Sequence, residues 1–138
     1  MSIRIGYLLP TRERIMAGQP QAAPLLELAE RAERLGFDSV WAGDSLLARP
    51  RHEPLTLLAA VASRVRRVDI GTAVLLPALR NPVLLAHQVA TLDQVAEDLS
   101  LCWHCSGWPR ASPKIAEDVI WDKSRARGVH VPVAIALL

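Results

Sequence analysis

Apolar residues over the first hundred positions fall into two kinds of run that take turns along the chain. Ile3 to Leu9, Ser39 to Gly43 and Val68 to Leu76 are short blocks of the kind that fills a strand buried on both faces. Between them the spacing changes to that of helices. From Pro24, a favourable first-turn residue, Leu25, Leu28, Ala29, Ala32 and Leu35 recur on one side, with Glu27/Arg31 and Glu30/Arg34 as i,i+4 pairs on the other. Gly36 supplies a left-handed stop. Pro54 opens a second helix with Leu55, Leu58, Ala59 and Ala62 inward. Asn81 and Pro82 form an N-cap and first turn for a third, which continues through Leu85, Val89, Leu92 and Ala96.

Strand and helix alternating roughly every 30 residues is the pattern of βαβ units around a parallel sheet, so the fold class is α/β. A closed barrel needs about 200 to 250 residues and eight units. At 138 residues the chain has room for about four, which predicts a partial (β/α)8 barrel of three to four parallel units with an irregular C-terminal tail. The expected division is residues 1–97 for the βα units and 98–138 for the tail.

Composition narrows the function classes. The chain is 51% hydrophobic and 22% charged, with a formal net charge of +2 and arginines scattered through helices rather than gathered in a tract. Neither nucleic acid nor an anionic membrane is called for. The opening apolar run is too short for a signal peptide, Pro10 interrupts it, and no segment reaches the roughly 20 apolar residues of a membrane span. A cytoplasmic location is expected.

Three segments carry a family resemblance. Gly36-Phe37-Asp38-Ser39-Val40-Trp41-Ala42-Gly43-Asp44-Ser45, Ile70-Gly71-Thr72-Ala73-Val74-Leu75-Leu76-Pro77 and Asn81-Pro82-Val83-Leu84-Leu85-Ala86-His87-Gln88-Val89-Ala90-Thr91-Leu92-Asp93 together resemble the bacterial-luciferase-like oxidoreductases over about residues 3–96. The resemblance implies the first three βα units of a barrel that binds FMN or the deazaflavin coenzyme. It also implies a small organic substrate, oxidised or reduced by hydride transfer or oxygen activation.

Reacting groups of a parallel barrel gather at the carboxyl ends of its strands, here Pro10 and Thr11, Asp44 and Ser45, and Thr72 to Leu76. Asp44 is the acid at a predicted strand end, and the resemblance puts it close to the ring or substrate; its alternative role is a helix or loop cap. Ser45 falls where many relatives carry a proton-handling histidine. A serine hydroxyl does not titrate near neutral pH, so the resemblance does not carry the histidine's acid–base role over to this position. Asp44 and Ser45 are the catalytic candidates. Thr72, Ala73 and Val74 are the cofactor-binding ones, because a small residue in a bulky strand lets a planar ring approach, and relatives place a non-proline cis peptide at about Ala73 to Val74. The alternative is a plain strand with Ala73 in a tight core layer. His52 and His87 read as capping or helix-surface histidines.

After Glu97 the composition changes: both cysteines, both lysines and three of the four tryptophans follow it. The family pattern continues with Gly-Arg and a strand ending in a Gly-rich turn, whereas this chain reads Glu97-Asp98-Leu99-Ser100-Leu101-Cys102-Trp103-His104-Cys105-Ser106-Gly107-Trp108-Pro109. Codons exist for residues 102–109 that, read one base later, encode a Val-Gly-Ile-Ala-Ala-type strand end. A frameshift near residue 96 is the expectation this raises. Within the tail, Leu99 to Trp103 reads as a fourth strand, 112–123 as a short helix and 129–138 as a further strand or packed end. Cys102 and Cys105 have Cys-x-x-Cys spacing, but Ser106 to Pro109 breaks the helix that a thiol redox site needs. With His104 or His130 they give only three zinc ligands, so no metal is assigned.

The function expected is that of a luciferase-like oxidoreductase or monooxygenase fragment using FMN or the deazaflavin coenzyme. Cofactor binding is expected to be weak, since relatives supply most phosphate contacts from later units and no Gly-x-Gly-x-x-Gly or Walker loop replaces them. Two alternatives stand beside it. One is a non-catalytic α/β module forming a homodimer through its apolar helices, and the other a thiol redox protein using Cys102 and Cys105.

Overall fold

In the computed structural model, which describes residues 3–45, 49–97, 99 and 101–105, four strands form one sheet in chain order. They are β1 (Gly6–Leu8), β2 (Ser39–Ala42), β3 (Asp69–Leu75) and β4 (Leu101–Cys105). Every neighbouring pair is parallel, and the register runs Tyr7 to Val40, Val40 to Ile70 and Ile70 to Leu101. Parallel neighbours require crossovers. These are α1 (Thr11–Met16) with α2 (Ala23–Arg34), then α3 (Pro54–Ala62), then a 3-10 turn (Pro77–Leu79) with α4 (Pro82–Ala96). When each strand lies beside its predecessor and the crossovers share one hand, all helices fall on one face. Consistent with this, α3 packs against both α2 and α4 as well as β2 and β3. The result is one wall of a βα barrel rather than a doubly wound sheet, in which strand order reverses and helices cover both faces.

The core lies between sheet and helices. Val40, Ile70 and Leu101 from one register line are buried with Leu25 and Ala29 of α2, Leu58 and Val61 of α3, and Leu85 and Leu92 of α4. Each large aliphatic side chain removed from water there contributes about 1.5–3 kcal/mol. The central helix α3 buries more of its circumference than a single stripe would require. Leu57 and Val61 join Leu55, Leu58 and Ala62, because α3 has helices on both sides, while Ala59 is only partly covered.

Helix α2 ends as its glycine implies. Gly36 has φ +87°, its N–H donates to Glu33 O, and the Phe37 N–H reaches back to Ala32 O, closing a Schellman turn. That turn seats Phe37 against the Tyr7 ring, with centroids 5.7 Å apart. Leu35 does not face inward as its spacing suggests; it is the C-cap and 67% exposed. Glu30 pairs with Arg34 at 3.9 Å but lies nearer Arg64, at 3.1 Å. Glu27 and Arg31 form no ion pair among the described residues.

Helix α1 has no counterpart in the hydrophobic pattern, since six residues span too few turns to show a period. β4 begins two residues later than expected, at Leu101, and continues the sheet past residue 97. The expected helix over 112–123, the strand over 129–138 and His130 lie outside the described residues, as do the side chains of Cys102, His104 and Cys105. No helix among the described residues is long and apolar enough to cross a membrane.

The amino ends of the strands are closed by polar ties. Asp38 accepts the Ile5 N–H at 2.7 Å, Arg4 pairs with Asp69, and Glu33 Oε1 accepts the N–H groups of Arg66 and Arg67 at 2.8 and 2.6 Å. These contacts hold register at the end of a barrel that serves stability rather than chemistry.

Candidate active site

Chemistry-bearing residues collect at the opposite end, where β2 and β3 run out. The chain leaves β2 through Gly43, Asp44 and Ser45, and leaves β3 through Leu76, the 3-10 turn and Arg80. Asp44 bridges the two exits. Its Oδ2 accepts the Leu76 N–H at 3.0 Å and an Arg80 N–H at 2.8 Å. Arg80 also donates to Glu53 Oε1 at 2.8 Å, and Glu53 caps α3 by accepting the Thr56 N–H at 2.7 Å. Two carboxylates and one guanidinium thus fasten three segments that are distant in the chain.

The electrostatics follow from that geometry. Burial pulls the Glu53 carboxyl upward, but Thr56 and the Arg80 charge outweigh it and hold the group below the usual carboxylate value. Burial alone lowers the Arg80 guanidinium, and its bonds to Asp44 and Glu53 more than reverse this. Opposite charges in contact favour both ionised forms.

The strand-tip residues read from the sequence fall on two faces of the sheet. Thr72 pairs in register with Ala42 and is fully buried, on the helix-covered face. Ala73 is exposed, Val74 is half-buried, and the peptide between them is cis, the isomer that the family resemblance implies there. The register with β4 slips between Ala73 and Leu75, so the strand bulges at that point. Ser45 is half-buried and makes no hydrogen bond among the described residues. Asp44 and Ser45 are therefore brought to the same end as Ala73 and Val74, while Thr72 faces away. On the face opposite the helices, Trp41 lies over Gly6, where a Cβ would come within 2.6 Å of Ser39 Oγ and collide with the indole. The indole Nε1 donates to Ser39 Oγ at 2.8 Å.

Arg51, Glu53 and Arg80 were not singled out by sequence reasoning. Arg80 is the one cation between β3 and α4, and Glu53 stands directly before a helix-opening proline. Those signals mark loop polarity without revealing a partner. His52, by contrast, is a tether: its Nε2 donates to Pro20 O at 2.7 Å. His87 is exposed on α4. No cluster of three His, Cys, Asp or Glu able to hold a metal occurs among the described residues.

Known proteins resemble the chain in sequence and in fold. The profile of the luciferase-like monooxygenase family matches residues 3–98, ending where the composition breaks. Two F420-dependent glucose-6-phosphate dehydrogenases are similar over 98 residues. That of Kribbella flavida is 44% identical, with 67% of this chain and 28% of the relative covered, and that of Amycolatopsis mediterranei is 40% identical, with 66% and 27% covered. The chain thus spans little more than a quarter of the length of either. In three dimensions it resembles the oxygenating constituent of 3,6-diketocamphane monooxygenase of Pseudomonas putida, solved with FMN. The TM-score is 0.64 at 19% identity, over 91% of this chain and 38% of that one. With the parallel strand order, the bulged third strand and a family match over most of its length, the chain belongs to the luciferase-like monooxygenase family.

Proposed function

We propose that the chain forms the first βα units of an F420-dependent oxidoreductase site and backs the coenzyme's planar ring with the Ala73–Val74 bulge. The observation that carries this reading is the exposed small residue at the bulge. Ala73 is exposed, and its carbonyl oxygen lies 3.4 Å from where a Gly43 Cβ would be. A flat ring can approach an exposed alanine at a strand tip, whereas a bulky side chain would hold it away. The bound coenzyme would supply the capacity to accept or donate a hydride.

The chain's own residues do the positioning. Asp44, with Arg80 and Glu53, fixes the loops after β2 and β3 so that the bulge keeps its place relative to the substrate. Ser45 serves as a hydrogen-bonding group and not as a proton carrier near neutral pH. F420 is favoured over FMN because the relatives at 40% and 44% identity are F420-dependent. A small hydroxylated or phosphorylated substrate follows from the same likeness, and a homodimer is the proposed partner state.

Titration of F420 fluorescence with the full chain tests the proposal. Weak, saturable quenching that Ala73→Trp removes is expected. Quenching that survives this substitution would place the ring elsewhere, and its absence from the unaltered chain would remove the coenzyme reading. A second reading, a non-catalytic pairing module, is favoured by Val83 and Leu84, which stand 72% and 62% exposed at the start of α4. Sedimentation of the full chain with and without F420 separates the two, since a dimer lacking coenzyme affinity fits only the module.

A further inference from the structure

We propose that Arg51, seated on Gly43, is an oxyanion-holding residue that takes a phosphate or carboxylate group of a ligand at the carboxyl ends of β2 and β3. Its guanidinium lies against the Gly43 backbone: a Cβ there would overlap Nη1 and come 3.0 Å from Cζ. Only the missing side chain at position 43 gives the cation that seat.

Among the described residues the cation has no ion-pair partner, and its Nε is buried without a hydrogen-bond partner. The neighbouring carboxylates pair with other groups among the described residues. Asp44 Oδ2 takes Leu76 N–H and Arg80, while Glu53 gives Oε1 to Arg80 and Oε2 to Thr56 N–H. Nor is the position loosely held. His52, next in the chain, is tied to Pro20 O, and Glu53 after it caps α3, so the backbone that presents Arg51 is anchored on its far side.

A guanidinium offers a planar fork of donors matched to two oxygens of one oxyanion, and burial strengthens such bonds. A surface cation would need neither a glycine seat nor a shielded Nε. The inference rests on charge and geometry and does not require the coenzyme: it survives if F420 fails to bind, and fails alone if F420 binds but anions do not.

Calorimetric titration of the full chain at low ionic strength, with inorganic phosphate and separately with acetate, tests it. Saturable binding is expected, weakened at least about tenfold in Arg51→Gln and in Gly43→Ala. Arg31→Gln, a change at an exposed site on α2, should leave it unaltered. Preference for phosphate or for acetate assigns the group. No saturable binding of either anion, unchanged affinity in Arg51→Gln, or an equal loss in Arg31→Gln overturns the proposal. Should Gly43→Ala fail to fold by circular dichroism, Arg51→Lys takes its place. It keeps the charge without the fork and is expected to show the same loss, and full retention of affinity in it would likewise overturn the assignment.

Discussion

Arg80 and Asp44, 36 positions apart, meet at 2.8 Å with side chains 12% and 3% exposed. The pair joins the exit of β3 to the exit of β2, and through Glu53 it reaches the start of α3. An ion pair this deep gains little over a well-packed apolar substitute, but loss of either member leaves the other charge buried alone.

Removal of either partner is therefore expected to be costly. Arg80→Gln and Asp44→Ala should each destabilise the fold by about 3 kcal/mol, and the double variant by less than their sum. Urea unfolding of the four proteins measures this. Strict additivity would mean that the two side chains do not act as a pair.

Acid should weaken the fold through Glu33 and Glu53. Burial raises both carboxyls, but it is outweighed at Glu33 by the N–H groups of Arg66, Arg67 and Val68 and the Arg67 charge, and at Glu53 by Thr56 and Arg80. Both titrate below the ordinary 4.5 in the folded chain. In the unfolded chain they take up protons first, so their contribution is complete above that value and fades as pH falls through the lowered folded one. Thermal midpoints recorded through this window should fall more gently for Glu33→Gln. An identical slope would contradict the assignment.

The left-handed stop after α2 is a backbone requirement. No atom crowds a Cβ at Gly36, yet its φ of +87° is unfavourable for any L side chain. Gly36→Ala is expected to cost about 1–2 kcal/mol. Chemical denaturation of the variant would show it, and wild-type stability would mean that the turn relaxes without loss.

Burial separates two leucines of similar chemistry. Leu58 is completely enclosed under α3, so Leu58→Ala should cost about 3 kcal/mol. Leu84 is exposed on α4, and Leu84→Ala should change stability by about 0.5 kcal/mol or less. Equal effects would place Leu84 in an interface of the measured species.

Much of the fold was legible because its signals are local. Pro54 and Asn81-Pro82 mark helix starts, and Asn81 Oδ1 does accept the N–H groups of Val83 and Leu84 at 3.0 and 3.2 Å. The inward rows of α2, α3 and α4 largely match their periodicity. α1 escaped notice for want of length, and Leu35 followed the period yet falls one step beyond the helix. At the candidate site, the strand tips at Asp44, Ser45, Ala73 and Val74 could be named from position alone. The partners of Asp44 could not.

Order of elements, helix limits and the apolar stripes were determined by the sequence itself, because each depends on residues within one or two turns of one another. Tertiary structure alone decided that Arg80 closes on Asp44 and Glu53 and that Arg51 rests on Gly43. Such pairings obey no period along the chain. They arise where parallel strands bring their exits side by side, and only there does the desolvation of one charge depend on the position of another.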